Sequence, residues 1–324
     1  MNIKGILLSV LSVLIPSIFL RKAQALLISS KRIRSLGIDA GKVPIPQAFF
    51  FEVRTKCNGT CAFCAAAVQS ETREDLSMPF DLYSKVIDEL KEMNYSGRIA
   101  YQVNNEPMIF KGLVKFVKYA RKMLPDAWIQ ILSNGKNMIM AEELVAAGIN
   151  ELSINHYTKN QNAPIPLRLT EFREKVLLKY MKPEHIGIGH RPVTGNDGVF
   201  RFNIFHREIN AVLNSRAGTA PNKTRPDPVT MGFCEFPFTQ FNISADGTVS
   251  KCCSDLYFSI PMGNVTNQNV MEIWNGDMFN QVRDNLLKGN RDAYETCKNC
   301  DFFGVRGSEI SRSFFSRVVY LLTR

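Results

Sequence analysis

Three cysteines stand close together in the first quarter of the chain, at Cys57, Cys61 and Cys64. The spacing C-x-x-x-C-x-x-C lets three thiolates share one loop and hold three irons of a cubane. An iron–sulfur cluster normally takes four cysteines, so three predict a cluster that keeps one iron open for a substrate or cofactor. A structural zinc loop is the alternative, but it needs a fourth Cys or His nearby, and the first histidine is His156. The spacing therefore favours cluster chemistry.

The same stretch resembles the signature loop of the radical S-adenosylmethionine (SAM) enzymes, including the aromatic Phe63 before the last cysteine. The resemblance implies that Cys57, Cys61 and Cys64 hold a 4Fe-4S cluster whose open iron is chelated by SAM. One electron, from a donor such as flavodoxin or ferredoxin, would cleave SAM to a 5′-deoxyadenosyl radical that abstracts hydrogen from a substrate. The hard chemistry would then belong to the cofactors, which the protein orients and shields from water.

Strand-like and helical patterns alternate from Gln47 onward, which predicts an α/β fold with parallel strands. The predicted strands lie at 48–53, 98–103, 127–132, 151–155, 185–189 and 199–204, and the predicted helices at 81–93, 113–123, 141–147 and 172–181. Six such repeats suit the partial (β/α)6 TIM-like barrel of the radical SAM family, followed here by a small α+β domain. In such barrels the active site lies at the carboxyl ends of the strands.

The family resemblance also assigns SAM contacts to residues at two predicted strand ends. Asn105 and Glu106 follow the second strand, where relatives carry a Gly-Gly-Glu-type motif that meets the amino group of SAM. Ser153 and Asn155 lie on the fourth strand, where relatives place polar contacts to the SAM ribose or carboxylate. A polar strand end without a ligand is the alternative for this second pair. We expect these residues, with Phe63, to form the cofactor site.

A second set of cysteines follows the barrel, at Cys234, Cys252, Cys297 and Cys300. Cys252 follows a predicted hairpin that turns at Asp246-Gly247. The pattern resembles the auxiliary-cluster domain called twitch, a shorter relative of the SPASM domain, which implies a second 4Fe-4S cluster with four protein ligands. A zinc ribbon is the structural alternative.

The adjacent Cys253 is left without an assigned role in this scheme, because the spacing from the glycine of the turn selects Cys252. Two 4Fe-4S clusters and one SAM are therefore the predicted cofactors. An auxiliary cluster with four protein ligands has no open iron for a substrate, so electron acceptance is its simplest role. Oxygen-sensitive clusters belong in a reducing compartment, which predicts a cytoplasmic protein.

The net charge of +10 is concentrated at the two ends of the 324-residue chain. Residues 1–46 hold seven Lys and Arg against Asp39 alone, and residues 301–324 hold four Arg against two acids. A nucleic-acid enzyme would more commonly carry a basic face on its core, so we expect no nucleic acid partner. An apolar run at 5–20 and an amphipathic stripe at 310–322 accompany the charge, which predicts peripheral contact with the inner face of the membrane.

These features divide the chain into four predicted parts: an apolar and basic segment at 1–45, a radical SAM core at 46–228, an auxiliary-cluster domain at 229–305 and an amphipathic helix at 306–324. A helix packed on the enzyme's own core is the alternative to membrane contact at either end.

The auxiliary spacing resembles that of aminocyclitol-oxidising members of the family. This favours dehydrogenation of an alcohol on a small polar, sugar-like or cyclitol substrate, which membrane contact would suit if the substrate were lipid-linked. Peptide modification by a radical SAM maturase is one alternative. A non-catalytic, zinc-binding membrane adaptor is another.

Overall fold

A computed structural model describes residues 17–39, 42–67, 72–160, 162–180, 195–223, 226–227, 229 and 231–305. The strands are β1 (Ala48–Phe51), β2 (Arg98–Ala100), β3 (Trp128–Ser133), β4 (Glu151–Thr158), β5 (Arg201–Glu208), β6 (Gln240–Ile243), β7 (Thr248–Ser250) and β8 (Pro261–Asn264). The helices are α1 (Ser17–Ser35), α2 (Phe80–Glu92), α3 (Leu113–Met123), α4 (Ala141–Ala146), α5 (Leu167–Tyr180), α6 (Phe236–Thr239), α7 (Val270–Trp274), α8 (Asp277–Leu287) and α9 (Glu295–Lys298). Short 3-10 turns occupy Pro107–Ile109 and Arg216–Gly218.

All eight strands belong to one sheet in the order β5-β4-β3-β2-β1-β6-β7-β8. The strands from β5 to β6 run parallel to their neighbours, whereas β7 and β8 are antiparallel additions. The first strand of the predicted auxiliary domain therefore pairs with the first strand of the core, with Ala48 opposite Gln240. The α/β fold with an appended α+β unit is confirmed, and the two parts share a continuous sheet.

Residues alternate between the two faces of each strand, and the register places residues of the same face side by side on neighbouring strands. One row is apolar and fully buried, with Ile99 beside both Phe49 and Ile129. Phe49 packs edge-on against Tyr95, with ring centroids 5.1 Å apart, beyond the end of α2. This face forms the core beneath the helices.

The structure revises the strand count predicted for the barrel. The stretch predicted as the fifth strand, 185–189, lies outside the described residues. The stretch predicted as the sixth strand is β5, and it pairs directly with β4 over eight residues, from Glu151 opposite Arg201 to Thr158 opposite Glu208.

Helix α1 lies within the predicted N-terminal segment, 1–45, and packs on the body of the protein. Its Ala25 and Ile28 are buried, and Arg32 Nε donates a 2.6 Å hydrogen bond to Glu235 in the auxiliary unit. Leu26 and Leu27 remain 69% and 56% exposed. This part of the predicted segment thus packs on the protein's own core, which was the alternative to membrane contact.

Within the described residues no helix is both long and apolar enough to span a membrane. Residues 1–16 and 306–324, which hold most of the predicted apolar run and the whole C-terminal stripe, lie outside the described residues. Membrane contact stays a prediction.

Candidate cluster sites

The first three cysteines lie on a loop that leaves the carboxyl end of β1. The backbone N–H of Gly59 donates to Cys57 Sγ at 3.2 Å. A Cβ added to Gly59 would lie 3.1 Å from Cys57 Sγ and 3.9 Å from Cys61 Sγ, so both thiols converge on this glycine. Burial raises the pKa of Cys57 to about 12 and that of Cys61 to about 11. Metal binding must therefore displace protons here.

Contacts from two other strand ends fix the loop in place. Asn134, in the turn after β3, donates from Nδ2 to Asn58 Oδ1 at 2.8 Å, and Lys136 Nζ donates to Asn58 O at 2.9 Å. The backbone N–H of Ala62 donates to the carbonyl of Ile209, directly after β5, at 3.0 Å. The loop thus lies across the carboxyl edge of the sheet, where ligand sites of parallel α/β folds are found.

Glu106 accepts more hydrogen bonds than any other of the predicted SAM contacts. It is 3% exposed, and its Oε1 accepts from Ser133 Oγ at 2.7 Å and from the Met108 N–H at 3.0 Å. Its Oε2 accepts from the Asn134 N–H at 2.7 Å. Burial raises the pKa of this carboxyl, although these donors act in the opposite direction. Because an ionised carboxylate offers about four acceptor sites, room for one further donor remains on Oε2.

The remaining predicted SAM contacts occupy three different settings. Asn105 folds back on its own strand end, donating to Tyr101 O at 3.3 Å and accepting from the Val103 N–H at 2.9 Å. Its side chain closes a local turn, so the backbone is the part of Asn105 left for a ligand. Ser153 is 1% exposed and donates to Glu151 Oε1 at 2.5 Å, which places it below the sheet edge.

Asn155 and Phe63 lie nearer the carboxyl edge of the sheet, at the level of the cysteine loop. Asn155 Oδ1 accepts a 2.8 Å hydrogen bond from Arg207 Nε on β5. Phe63 is 9% exposed, and its ring lies 5.5 Å from that of Tyr157 on β4. The structure therefore brings Phe63 and Asn155 to one edge of the sheet with Glu106, and leaves Ser153 deeper.

The four cysteines of the second set line a single cavity. Its wall contains all four predicted ligands, Cys234, Cys252, Cys297 and Cys300, and does not include Cys253. Burial raises the pKa of Cys234 to about 12 and also raises the pKa values of Cys252 and Cys297. The elements that gather these thiols are the start of α6, the end of β7 and helix α9.

Two cationic side chains share this wall, Lys251 and Arg291. Lys251 is fully buried, and its Nζ lies 3.0 Å from Asp255 Oδ2. Arg291 is held by backbone carbonyls, with Nη1 2.8 Å from Phe302 O and Nη2 3.1 Å from Phe233 O. Burial alone would lower the pKa of Lys251, but Cys252, Asp255 and Cys297 raise it above its usual value.

One side chain and one loop connect the auxiliary unit to the core of the protein. Leu256, in the auxiliary unit, packs against Ala65 and Ala66 in a small apolar cluster that Cys64 also touches. This leucine therefore joins the auxiliary unit to the core cysteine loop. This contact could not be read from the sequence, where Leu256 follows Cys64 by nearly two hundred residues.

The connecting loop contains Arg216, in an uncommon conformation. Arg216 and Ala217 have φ values of 48° and 56°, in the left-handed region that side chains rarely adopt. Ser215 Oγ anchors the loop to the auxiliary unit by donating to Asn299 O at 2.6 Å. Arg216 Nη2 reaches Asn104 Oδ1 at 2.5 Å, next to the predicted SAM motif. From the sequence, His190, Arg191 and Arg216 are cationic and polar groups that could meet a polar substrate, with a solvated loop as the alternative; residues 190 and 191 lie outside the described residues.

The residues of both sites fit iron–sulfur clusters by the chemistry of their donors and by the space at Gly59. Among the described residues, no three His, Cys, Asp or Glu side chains are placed to share a single metal ion, whereas a 4Fe-4S cluster takes each of its cysteine ligands on a different iron. Sequence reasoning missed several residues that shape the sites: Asn134, Lys136, Lys251 and Leu256, and also Arg73, whose guanidinium contacts Glu52 and the carbonyls of Thr55 and Asn104. Of these residues, only Asn134 lies in a stretch with a recognisable sequence signal, Ser133-Asn134-Gly135, and that signal predicts a turn and no ligand contact.

Known proteins resemble the chain in both sequence and structure. The model of the SPASM iron–sulfur cluster-binding domain matches residues 234–301, within the predicted 229–305. A SAM-dependent 2-deoxy-scyllo-inosamine dehydrogenase of Niallia circulans is 26% identical over 264 residues, which cover 80% of this chain and 94% of the relative.

Two solved structures share the fold. BtrN in complex with AdoMet and 2-DOIA aligns with a TM-score of 0.64 and 24% identity, over 82% of this chain and 96% of that one. The anSMEcpe structure with bound AdoMet aligns with a TM-score of 0.52 and 13% identity, over 86% of this chain and 96% of that one. The chain therefore has the fold of radical SAM enzymes, carries a SPASM-type auxiliary domain, and resembles the 2-deoxy-scyllo-inosamine dehydrogenase over most of its length.

Proposed function

We propose that this chain is a radical SAM oxidoreductase that dehydrogenates an alcohol of a small polar molecule of the sugar or cyclitol type. The observation that carries the proposal is a three-thiol loop at the carboxyl edge of the sheet together with a cavity lined by four thiols in the auxiliary unit, whose Leu256 packs against the core loop. Seven cysteines then form two ligand sets for two 4Fe-4S clusters. The first set is Cys57, Cys61 and Cys64, and the second is Cys234, Cys252, Cys297 and Cys300.

The protein's own groups position the cofactor and substrate in this proposal. When bound, the core cluster and SAM supply the 5′-deoxyadenosyl radical. Glu106 Oε2 accepts a hydrogen bond from the SAM ammonium, while Asn155 and the edge of Phe63 bound the space that SAM fills. Arg216, held rigidly between the two sites, meets the polar face of the substrate.

The reaction balances as a two-electron oxidation. With both groups bound, the substrate carbinol would lose the hydrogen atom on its carbon to the 5′-deoxyadenosyl radical, its hydroxyl proton to water, and one electron to the cluster that Cys234, Cys252, Cys297 and Cys300 would hold, which leaves a ketone. An external protein of the flavodoxin or ferredoxin class supplies the electron that cleaves each SAM. The need for reduced clusters places the enzyme in the cytoplasm.

The substrate class rests on the relatives and on the polarity of the site. The relative named above is a 2-deoxy-scyllo-inosamine dehydrogenase, which acts on an aminocyclitol. Hydrogen-bonding groups of Arg207, Arg216 and Asn104 line the same edge here. These groups suit a substrate with several hydroxyls.

Anaerobic purification and a SAM-cleavage assay test the function. We expect a brown protein with charge-transfer absorption that forms 5′-deoxyadenosine from SAM and a reductant. With carbon-deuterated cyclitols and sugars as candidates, the true substrate transfers deuterium into 5′-deoxyadenosine. A colourless, zinc-containing protein without SAM cleavage would overturn the enzyme proposal. Deuterium transfer from a peptide instead would replace the substrate class and leave the radical SAM assignment standing.

A further inference from the structure

The auxiliary cavity has a buried charge that no ligand role explains. Lys251 precedes Cys252 and is 0% exposed, yet it lies on the wall of the four-thiol cavity. A buried ammonium without a partner would be very unfavourable, because it loses its hydration without any compensating charge. A lysine in this position therefore requires a fixed counter-charge.

Asp255 supplies that counter-charge and is itself held in place. Its Oδ2 lies 3.0 Å from Lys251 Nζ, and the carboxylate is 2% exposed. Its Oδ1 accepts from Ser259 twice, from the backbone N–H at 3.0 Å and from Oγ at 2.8 Å. The cation is thus fixed against the cavity by a carboxylate that the following turn holds from the other side.

The core loop has the opposite kind of neighbour. The buried carboxylate of Glu106 lies beside it, since Asn134 bonds both to Glu106 Oε2 and to Asn58 within the loop. Lys136 also reaches the loop, but it is exposed, and water and salt screen its charge. The buried charge beside the core loop is therefore a carboxylate, whereas the auxiliary site has a buried ion pair of which the cation, Lys251, is the member on the cavity wall.

Reduction adds one negative charge to a cluster, so a fixed cation nearby stabilises the reduced form more than the oxidised form. Net charge, hydrogen bonding and exposure set the reduction potentials of iron–sulfur clusters. We propose that Lys251, held by Asp255, raises the reduction potential of the cluster bound by Cys234, Cys252, Cys297 and Cys300. This makes the auxiliary cluster the electron acceptor of the two. The inference rests on the proposed function, which supplies the cluster.

Redox titration of the reconstituted full-length protein, followed by electron paramagnetic resonance, tests the inference without an activity assay. Lys251→Met should lower the equilibrium constant for one-electron reduction of the auxiliary cluster at least about tenfold, which is about 59 mV. Lys251→Arg should keep most of the wild-type potential. Asp255→Asn should shift the potential in the opposite direction, because it removes the anion and keeps the cation.

Two internal controls separate a local charge effect from a general one. The potential of the core cluster should stay unchanged in all three variants. Lys175→Met removes an equal charge from the 60% exposed side chain that pairs with Glu142, and it should shift neither potential.

An unchanged auxiliary potential in cluster-loaded Lys251→Met would overturn the inference. If that variant fails to hold its cluster, Asp255→Asn decides, and an unchanged or lowered potential there would overturn it equally. Wild-type protein that contains no auxiliary cluster at all would instead contradict the proposed function, so the two failures are distinguishable.

Discussion

The two thiol sites of this protein are built in different ways. The core set lies within eight residues of one loop, from Cys57 to Cys64, and its three thiols leave room for a ligand from outside. The auxiliary set spans Cys234 to Cys300 and supplies four thiols to one buried cavity. The first arrangement suits a site that binds and cleaves a cofactor, and the second suits a site that only exchanges electrons.

The two sites also differ in the contacts that hold them in place. The core loop depends on contacts from the ends of three strands, through Glu106, Asn134 and Ile209. The auxiliary cavity depends on buried ion pairs and on arginine bonds to carbonyls, at Lys251 and Arg291. The core site is thus positioned by the strand ends of the sheet, and the auxiliary site is positioned by the side chains around its own cavity.

Removing the core thiols should give the largest effect. We expect Cys57→Ala, Cys61→Ala and Cys64→Ala together to abolish 5′-deoxyadenosine formation and to halve the iron content, because in the proposed function these residues hold one of two clusters, the one that binds SAM. Iron analysis and an assay for 5′-deoxyadenosine measure both. Iron at the wild-type level would show that these three residues are not ligands.

Glu106→Gln should weaken SAM use without removing either cluster. The change keeps the size of the side chain but removes a charged acceptor, whose hydrogen bonds contribute about 1.5–3 kcal/mol each. We expect kcat/KM for SAM cleavage to fall roughly 10- to 100-fold. Glu272→Gln, at the exposed cap of α7, is the matched control and should leave it unchanged. Equal losses in both variants would contradict the role of Glu106.

The neighbouring pair Cys252 and Cys253 sharpens the assignment within the auxiliary site. Cys252 lies on the cavity wall and Cys253 is not among the wall residues. Cys252→Ala should therefore lose the auxiliary cluster, whereas Cys253→Ala should keep nearly all of its iron. The reverse pattern, measured by iron content and absorbance, would mean that the ligand has been assigned to the wrong neighbour.

The smallest expected effect concerns α1 and membrane contact. Leu26 and Leu27 are exposed beside the basic Lys31 and Arg34, an arrangement that binds anionic lipid weakly, at about 1 kcal/mol per well-placed cation. The full-length protein should co-sediment with anionic liposomes at low salt, and Leu26→Ser with Leu27→Ser should reduce the bound fraction. Wild-type protein that stays in the supernatant at low salt would contradict membrane contact.

The core loop and the parallel strands could be predicted because their signals are local. Closely spaced cysteines and alternating strands and helices are visible in the sequence, and both mark the carboxyl edge of a sheet. The pairing of β4 with β5 and of β1 with β6 was not predicted, because register between distant strands depends on the whole fold.

The residues that tune the two sites were not predictable for the same reason. Lys251 appears in the sequence as one more lysine in a hairpin, and its burial arises only when α6, α8 and α9 close around it. Leu256 and Arg216 join parts of the chain that are far apart in sequence. The polarity of Asn105 suggested a ligand contact, whereas its side chain is used to close a turn.

The division of labour between the two sites is tested most directly by Cys297→Ala, assayed for iron and for 5′-deoxyadenosine in the same preparation. The account predicts that iron falls by about half, as expected when one of two similar clusters is lost, while SAM cleavage continues at close to the wild-type rate. Oxidised product should then fall much further than 5′-deoxyadenosine. Loss of SAM cleavage in parallel with the iron, or full iron with normal product, would contradict two separate sites with separate roles.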